Sequence, residues 1–385
     1  MTLKNKNSNV PFRIPHFTVQ LMVLALASPL LMACAGCGLV TGRDTGTKPG
    51  AGSASTLTAA SWNVQALFDG IEDGTEYDDY GVSSGWSDEK YRVRLERIGE
   101  VVALMTPGGP DLLALQEIEN GRVLEGLAKG TLRKYGYGYT AKAALPGAAL
   151  GIVLLSRFPL SRIKAHQASV RGGETPRPIL EARVETAAGP VLVFVCHWKS
   201  KLGDAEQTEA VRTASAGVLA RRIAELAQED PAIDIVVLGD LNENWDEFER
   251  QGSMLPTALL PDNPRAAFVT GVADSADSYA GNLLVLSPEI PPLAACFPGA
   301  VALHSPWPNS PWPGSYAYRG AWETIDHVLL NPALFDSKGW EYDAFAVLDS
   351  PILVDENGYP RTYNARTGSG YSDHLPVVVE LRRAE

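Results

Sequence analysis

Residues 233–244 read IDIVVLGDLNEN. Apart from Asp234 the run Ile233–Leu238 is apolar, which predicts a buried strand, and it stops at Gly239, Asp240 and Asn242. Upstream, Val211, Ala214, Val218, Leu219, Ile223 and Leu226 recur at helical spacing and predict an amphipathic helix. Before that helix, VLVFVC (191–196) is a second apolar strand, and it runs into His197. Working further outward, strands are predicted at Leu57–Val64, 111–116 (DLLALQ), 151–156 (GIVLLS), Ile179–Thr186, Ile325–Leu330 and Pro376–Leu381. Tyr91, Leu95, Ile98, Val102 and Met105 share one helical face that Pro107 and two glycines terminate. Only turns separate the strands between 151 and 196, so antiparallel neighbours are expected there. Clustered strands with helices between them predict a layered α/β body with mixed sheets rather than a strictly alternating parallel barrel. No internal repeat is visible. Residues 252–320, rich in Pro, Trp and Gly, read as a long surface excursion over the core.

The chain has 385 residues, 45% hydrophobic and 20% charged, an ordinary globular balance that sets aside disordered, collagenous and coiled-coil classes. Its four cysteines are too few for a disulfide scaffold, and no pair has zinc-site spacing. The formal net charge is −12. The segment before Cys34 holds Lys4, Lys6 and Arg13 and no acid, so the remainder is more acidic still. Such a surface lacks the electrostatic footprint of a dedicated nucleic-acid binder. It leaves room for a phosphodiester held locally by metal ions.

The N-terminus reads as an address. Three cations precede the apolar stretch Phe17–Leu31, which has the length of a signal-peptide core and is too short to span a membrane as a mature helix. Residues 1–33 are therefore expected to be a signal peptide. The sequence Leu31, Met32, Ala33, Cys34 resembles a bacterial lipobox, in which Cys34 becomes the acylated N-terminus. Residues 34–56, mostly Gly, Ser, Thr and Ala, read as a flexible tether, with one folded domain over 57–385. The expected location is outside the cytoplasm, membrane-anchored through lipid, or secreted if the lipobox is not used. Cys196 and Cys296 remain in the body, open to a bridge or to two separate buried thiols.

Nearly every apolar strand ends in an Asn, Glu, His or Asp: Asn63, Glu117, His197, and the pair Asp240 and Asn242. Asp326 opens a late strand, and Ser372, Asp373 and His374 precede the last one. Any single polar residue at a strand end is more often a turn-former, but the recurrence points to a common site at the sheet edge. Carboxylates with Asn amides supply hard oxygen ligands for Mg²⁺ or a similar ion. Histidines beside them supply proton transfer or contact phosphate oxygens. Together they suit attack of water on a phosphoester.

The segments SWNVQALFD, LLALQEIEN, GIVLLSR, RPILEARV, VFVCHWKSK, VVLGDLNEN, ETIDHVLL and GYSDHLPVVVEL, spread over about residues 57–382, resemble in kind and order the endonuclease/exonuclease/phosphatase superfamily, the deoxyribonuclease I-like fold. The resemblance implies a four-layer sandwich, two mixed β-sheets packed face to face with outer helices, and a metal site at one edge. It implies metal contacts at Asn63, Glu117 and Asp373, with Mg²⁺ (or Mn²⁺ or Ca²⁺) as cofactor. It implies that Asp240 orients or deprotonates the attacking water, that Asn242 contacts phosphate, and that His374 is held by Asp326. His197 matches a histidine that stabilises the scissile phosphate, and Arg177 a phosphate-binding arginine. One position departs from the pattern: Gln65 stands where many nucleases of the superfamily carry an acid, which leaves the metal stoichiometry open.

The expected function is an exported, divalent-metal-dependent phosphoesterase, a nuclease with nucleic acid as substrate. The alternatives are a phospholipid or small phosphorylated-alcohol phosphoesterase and a catalytically silent surface lipoprotein. No protein partner is expected. Lys199 and Lys201 read more readily as solvated than as phosphate ligands, and Trp307, Trp312 and Trp322 as covers for a core edge rather than base-stacking platforms. His327 is expected to pack at the start of its strand.

Overall fold

The structure, a computed structural model, describes residues 38–43, 55–170, 173–252, 257–262, 283–289 and 300–385. Numbered along the chain, the strands of the first half are β1 (Gly38–Arg43), β2 (Thr56–Leu67), β3 (Leu112–Ile118), β4 (Tyr139–Ala144), β5 (Gly151–Ser156), β6 (Leu160–His166), β7 (Ile179–Thr186) and β8 (Gly189–His197). Those of the second half are β9 (Asp234–Asp240), β10 (Leu259–Pro261), β11 (Leu283–Ser287), β12 (Ala300–His304), β13 (Tyr316–Tyr318), β14 (Ala321–Glu323), β15 (Asp326–Leu330), β16 (Trp340–Val347) and β17 (Val377–Arg383). The α-helices are α1 (Asp88–Met105), α2 (Gly121–Glu125), α3 (Ala205–Glu229) and α4 (Glu247–Arg250).

Two large sheets result. One has the order β1-β4-β5-β3-β2-β17-β16, the other β10-β11-β12-β15-β9-β8-β7-β6. Parallel pairs (β2 with β3, β8 with β9, β10 with β11, β11 with β12) sit among antiparallel ones, so both sheets are mixed. Period-two alternation sorts the side chains of the second sheet. Val191, Val193 and Val195 of β8, Val236 and Leu238 of β9, and Val328 and Leu330 of β15 join the core between the sheets. Leu192, Phe194, Ile235, Val237 and Leu329 face the other way, onto Ala216, Leu219, Ala220, Ile223 and Leu226 of α3. On the first sheet, α1 buries Tyr91, Leu95, Ile98, Val102 and Met105, the face its spacing predicts, with Ser87 accepting from Lys90 N as N-cap. The layers are therefore helix, sheet, sheet, helix, as the sequence implied.

Three expectations need correction. Residues 34–56 do not form an unbroken tether, because Gly38–Arg43 pair antiparallel with β4 at a sheet edge. Residues 252–320 are not wholly a surface excursion. The short apolar runs at β10, β11 and β12 extend the second sheet, Leu283–Ser287 being buried along its whole length. These runs were masked by the Pro, Trp and Gly around them. Finally, β5 is no neighbour of β7: it pairs with β3 and β4, and the link 157–159 crosses to β6 in the opposite sheet. Residues 1–33, expected to be a signal peptide, and Cys34 lie outside the described residues, as does Cys296. Cys196 is a buried free thiol. Among the described residues no helix is long and apolar enough to cross a membrane.

A buried ionic knot ties α3 to the second sheet. Glu181 of β7 accepts from Arg222 through both oxygens (2.8 and 3.1 Å) and contacts His166 Nε2 at 2.6 Å. Burial alone would raise its pKa, but His166 and Arg222 outweigh burial and hold it down to about 2. A depressed acid stabilises the fold in full above its ordinary value near 4.5 and loses that contribution as pH falls through about 2. Glu181→Gln should therefore cost about 3 kcal/mol at pH 7. In urea unfolding the gap to wild type should narrow steadily below about pH 4.5, and a gap independent of pH would contradict this account.

Candidate active site

Three members of the site lie in one register row across the second sheet. His197 at the end of β8 is paired with Asp240 at the end of β9, and Asp240 with Asp326 at the start of β15. Parallel and antiparallel pairing place equivalent residues side by side on one face, so these three side chains share the edge of the second sheet. The row needs Gly239: its φ is +146°, and a Cβ there would sit 2.0 Å from the carbonyl oxygen of Cys196.

The first sheet supplies the opposite wall. At the end of β3 the ladders to β2 and to β5 both shift register around Glu117. Glu117 has φ 66°, and Gln65 (53°) and Ala66 (52°) beside it share the left-handed region, as does Asn242 (51°) at the end of β9. Non-glycine residues pay for this conformation. The effect is to take Glu117 out of strand alternation and turn it toward the sheet edge, where Oε2 accepts from Ala66 N at 2.7 Å.

Hydrogen bonds join the walls. Asn63 Nδ2 donates to Glu117 Oε1 (3.2 Å) and to Asp240 Oδ2 (3.0 Å). His197 Nε2 lies 3.8 Å from Glu117 and 3.7 Å from Asp240. His374, just before β17, contacts Asp326 Oδ2 through Nδ1 at 2.7 Å, and its Nε2 lies 3.9 Å from both Asp240 and Asp373. Asn242 N donates to Asp240 Oδ1 at 2.8 Å, which leaves Oδ2 facing Asn63 and the two histidines. Arg177 Nη1 and Asn242 Nδ2 both donate to Trp198 O, at 2.6 and 3.2 Å. The structure thus brings Asn63, Glu117, His197, Asp240, Asp326, Asp373 and His374 together, with Asn242 and Arg177 on one side.

Burial makes these charges consequential, for all but Glu117, Asp373 and Arg177 are buried. Burial lowers the pKa of His374, but the carboxylates of Asp326, Asp373 and Asp240 reverse this and hold it well above its ordinary value. For His197, burial and then the charges of Arg177 and His374 push the pKa well below the ordinary value. Burial lifts Asp240 to about 7, against the pull of His374 and with the push of Asp326. These shifts favour the cationic form of His374 and the neutral form of His197, on either side of the Asp240 carboxylate. Asp326→Asn, which removes the nearest anion, should lower the His374 pKa, and the alkaline limb of the kcat profile should move to lower pH; an unmoved limb would show that His374 does not set it.

Several parts of the site were not foreseen from the sequence. Ser315 Oγ donates to Asp326 Oδ2 at 2.6 Å, and the ring of Tyr316 lies 4.6 Å from that of His374. Ser372 Oγ donates to Asn63 O at 2.7 Å, and Trp62 Nε1 to His374 O at 3.0 Å. The adjacency of Ser372 to Asp373 and His374, and of Trp62 to Asn63, was the signal the sequence held for these; Ser315 and Tyr316 had none. Gln65 turns away from the cluster: Oε1 accepts from Tyr363 N (2.7 Å) and Asp373 N (3.1 Å), and Nε2 donates to Tyr363 O (3.2 Å). It clamps the loop that delivers Asp373. Lys199 is paired with Glu174, and Lys201 with Glu247 and Glu323. Trp307 is buried with Nε1 donating to Asp326 O, and His327 Nε2 contacts Glu243 O.

The donor set fits a hard divalent ion. Glu117 and Asp373 are carboxylates partly open to solvent, leaving space for retained waters. Asn63 as placed is a donor between two carboxylates, its Oδ1 taken by Gln65 N, so ligation through that oxygen requires the amide to turn. Asp240, Asp326 and His374 also offer ligand atoms within 4.8 Å of one another. With Nδ1 of His374 engaged by Asp326, that trio reads as a proton relay rather than a metal site.

A pair of face-to-face mixed sheets with acids, amides and imidazoles at one edge defines a class of phosphoester-cleaving sandwich proteins. The family model described as endonuclease/exonuclease/phosphatase family matches residues 58–254, and the chain belongs to that family, whose members are generally metal-dependent phosphoesterases. Solved structures similar to it include truncated TDP2 of Caenorhabditis elegans, with 12% identity, 85% of this chain and 97% of that chain covered, and a TM-score of 0.48. An endonuclease/exonuclease/phosphatase family protein from Bacteroides thetaiotaomicron shows 16% identity, 85% and 95% coverage and a TM-score of 0.47. The human Nocturnin catalytic domain shows 15%, 90% and 96%, and 0.47. Comparison with curated proteins finds no match.

Proposed function

We propose that this chain is an exported, divalent-metal-dependent phosphodiesterase acting on nucleic acid. The observation that carries the reading is the convergence of Asn63, Glu117 and His374 from the side of one sheet with His197, Asp240 and Asp326 across the seam, all within 4 Å of a neighbour. A silent binding protein would have no reason to bury this many titratable groups in mutual contact.

Asp240, held by Asn242 N, aligns the attacking water and accepts its proton through Oδ2. His374, kept cationic by Asp326, faces the phosphate from the β17 side and offsets charge as it grows. Neutral His197 donates from the β8 side, and Arg177, fixed on Trp198 O, adds positive potential. Glu117 and Asp373, with Asn63 beside them, would hold a divalent ion, which would supply charge neutralisation on the phosphoryl oxygens. Next to Glu117 a groove lined by Tyr77, Asp79, Tyr80, Tyr363, Asn364 and Arg366, with Arg366 paired to Asp79 at 3.6 Å, offers aromatic surface for the rest of a polynucleotide.

The test is hydrolysis by purified 34–385, which keeps β1 and the whole of β2, of plasmid, single-stranded DNA, RNA and sphingomyelin vesicles, each with Mg²⁺, Mn²⁺, Ca²⁺ or chelator. Metal-dependent cleavage of a nucleic acid supports the reading. Cleavage of the lipid alone would replace it with the phospholipid alternative, and activity surviving chelation would remove the metal. The leader at 1–33 and Cys34 support export and lipid anchoring, tested by lipid labelling of the full chain against Cys34→Ala.

A further inference from the structure

A second group of acids lies away from the Asp240 centre. The loop after β2 carries Asp73 and Glu76, and Glu119 follows the end of β3. One carboxylate oxygen from each of the three lies within 4.8 Å of the others. Exposed acids often gather without consequence, but Glu119 is only 4% exposed. Its Oε2 accepts from Asp69 N at 2.7 Å, whereas its Oε1 is buried with no hydrogen-bond partner. Leaving a buried carboxylate oxygen unsatisfied is costly. Among the described residues no ion pair reaches Asp73, Glu76 or Glu119, and Lys142, the buried cation that senses Glu119, stays beyond ion-pair distance.

We propose that Asp73, Glu76 and Glu119 form a structural Ca²⁺ site, separate from the phosphoesterase centre. Oxygen ligands sit about 2.3–2.6 Å from Ca²⁺, so two of them on opposite sides are at most about 5 Å apart, which the triad satisfies. Three carboxylates at one point exceed what Mg²⁺ takes from protein, since it keeps most of its waters. The ion completes the coordination of Glu119 Oε1, cancels the mutual repulsion of the acids, and pins the loop to the end of β3 two residues past Glu117. The same loop carries Tyr77, which with Tyr80 borders the groove beside Glu117. The ion therefore stiffens one wall of that groove.

The experiment uses the full chain carrying Glu117→Gln and Asp373→Asn, which removes both carboxylates assigned to the ion at the phosphoesterase centre, and reads Tb³⁺ luminescence sensitised by Tyr77 together with Ca²⁺-dependent thermal unfolding. Saturable luminescence displaced by Ca²⁺, and a Ca²⁺-dependent rise in Tm, are expected. In Asp73→Asn with Glu76→Gln, two substitutions outside the core that leave folding intact by circular dichroism, Tb³⁺ binding should weaken at least tenfold and the Tm rise should vanish. A parent without a Ca²⁺ response, or a response that survives the double substitution, overturns the proposal. Neither readout depends on hydrolysis, so failure here is distinct from failure of the phosphodiesterase reading.

Discussion

Asp240→Asn is expected to lower kcat on a phosphodiester by about 10² to 10⁴-fold, the range associated with a positioned acid or base. Asparagine preserves the volume and can still accept from Asn242 N, so the end of β9 should keep its shape. What disappears is the carboxylate facing Asn63, His197 and His374, and with it the proton acceptor. Stability should move the other way. Burial lifts the Asp240 pKa to about 7. An acid raised in this way costs the fold increasingly as pH rises from near 3.8 through about 7, because the folded state disfavours the charge. The neutral amide avoids that cost, so the Tm of the metal-free protein should hold or rise while turnover collapses. Activity within threefold of wild type would remove Asp240 from the chemistry. Activity loss accompanied by a fall in Tm would point to distortion instead.

The second large effect is structural. Gly239→Ala should destabilise the fold by about 2–6 kcal/mol, combining the strain of a forbidden backbone conformation with overpacking. The new Cβ would meet the O, C and N atoms of Cys196 at 2.0, 2.8 and 2.9 Å. These are backbone atoms of β8, itself held between β7 and β9, and they have nowhere to go. Relief requires β8 and β9 to part where His197 and Asp240 are paired, so residual folded protein should also be inactive. Gly189→Ala is the control. It has φ +129° with open space around the Cβ, so it carries strain without collision and should cost about 1–2 kcal/mol less. Equal losses from the two substitutions, measured by urea unfolding, would show that the close approach of β8 is not what Gly239 serves.

Legibility differed by element, for physical reasons. Strands such as β5 and β7 were readable to the residue because an apolar run bounded by turns has few other fates. The strand β4, with the weakly committed sequence YTAKAA, was invisible, since its strand state comes from the neighbours β1 and β5. The short runs at β10 to β12 were lost inside a segment whose average composition spoke for loops. At the site, Glu117, His197 and Asp240 were marked by their position at the end of an apolar run, and Asp326, Asp373 and His374 by theirs at or before the start of one. Ser315 and Tyr316, which engage Asp326 and His374, carried no such mark. Gln65 was noticed as an absent acid, yet its role as a clamp on Tyr363 and Asp373 depends on a loop some 300 residues downstream.

The linear chain by itself determined the layered α/β class, the buried strands, the amphipathic faces of α1 and α3 and most of the polar side chains that gather at the sheet edge, because burial and periodicity are local and leave a pattern in adjacent residues. Only the tertiary structure decided which strands share a sheet, that the row His197, Asp240 and Asp326 faces Asn63 and Glu117 across a seam, and that the surroundings of His374 and His197 shift their pKa values in opposite directions. Those outcomes depend on register, on distances between groups remote along the chain, and on the burial that packing creates, none of which is a property of any one segment.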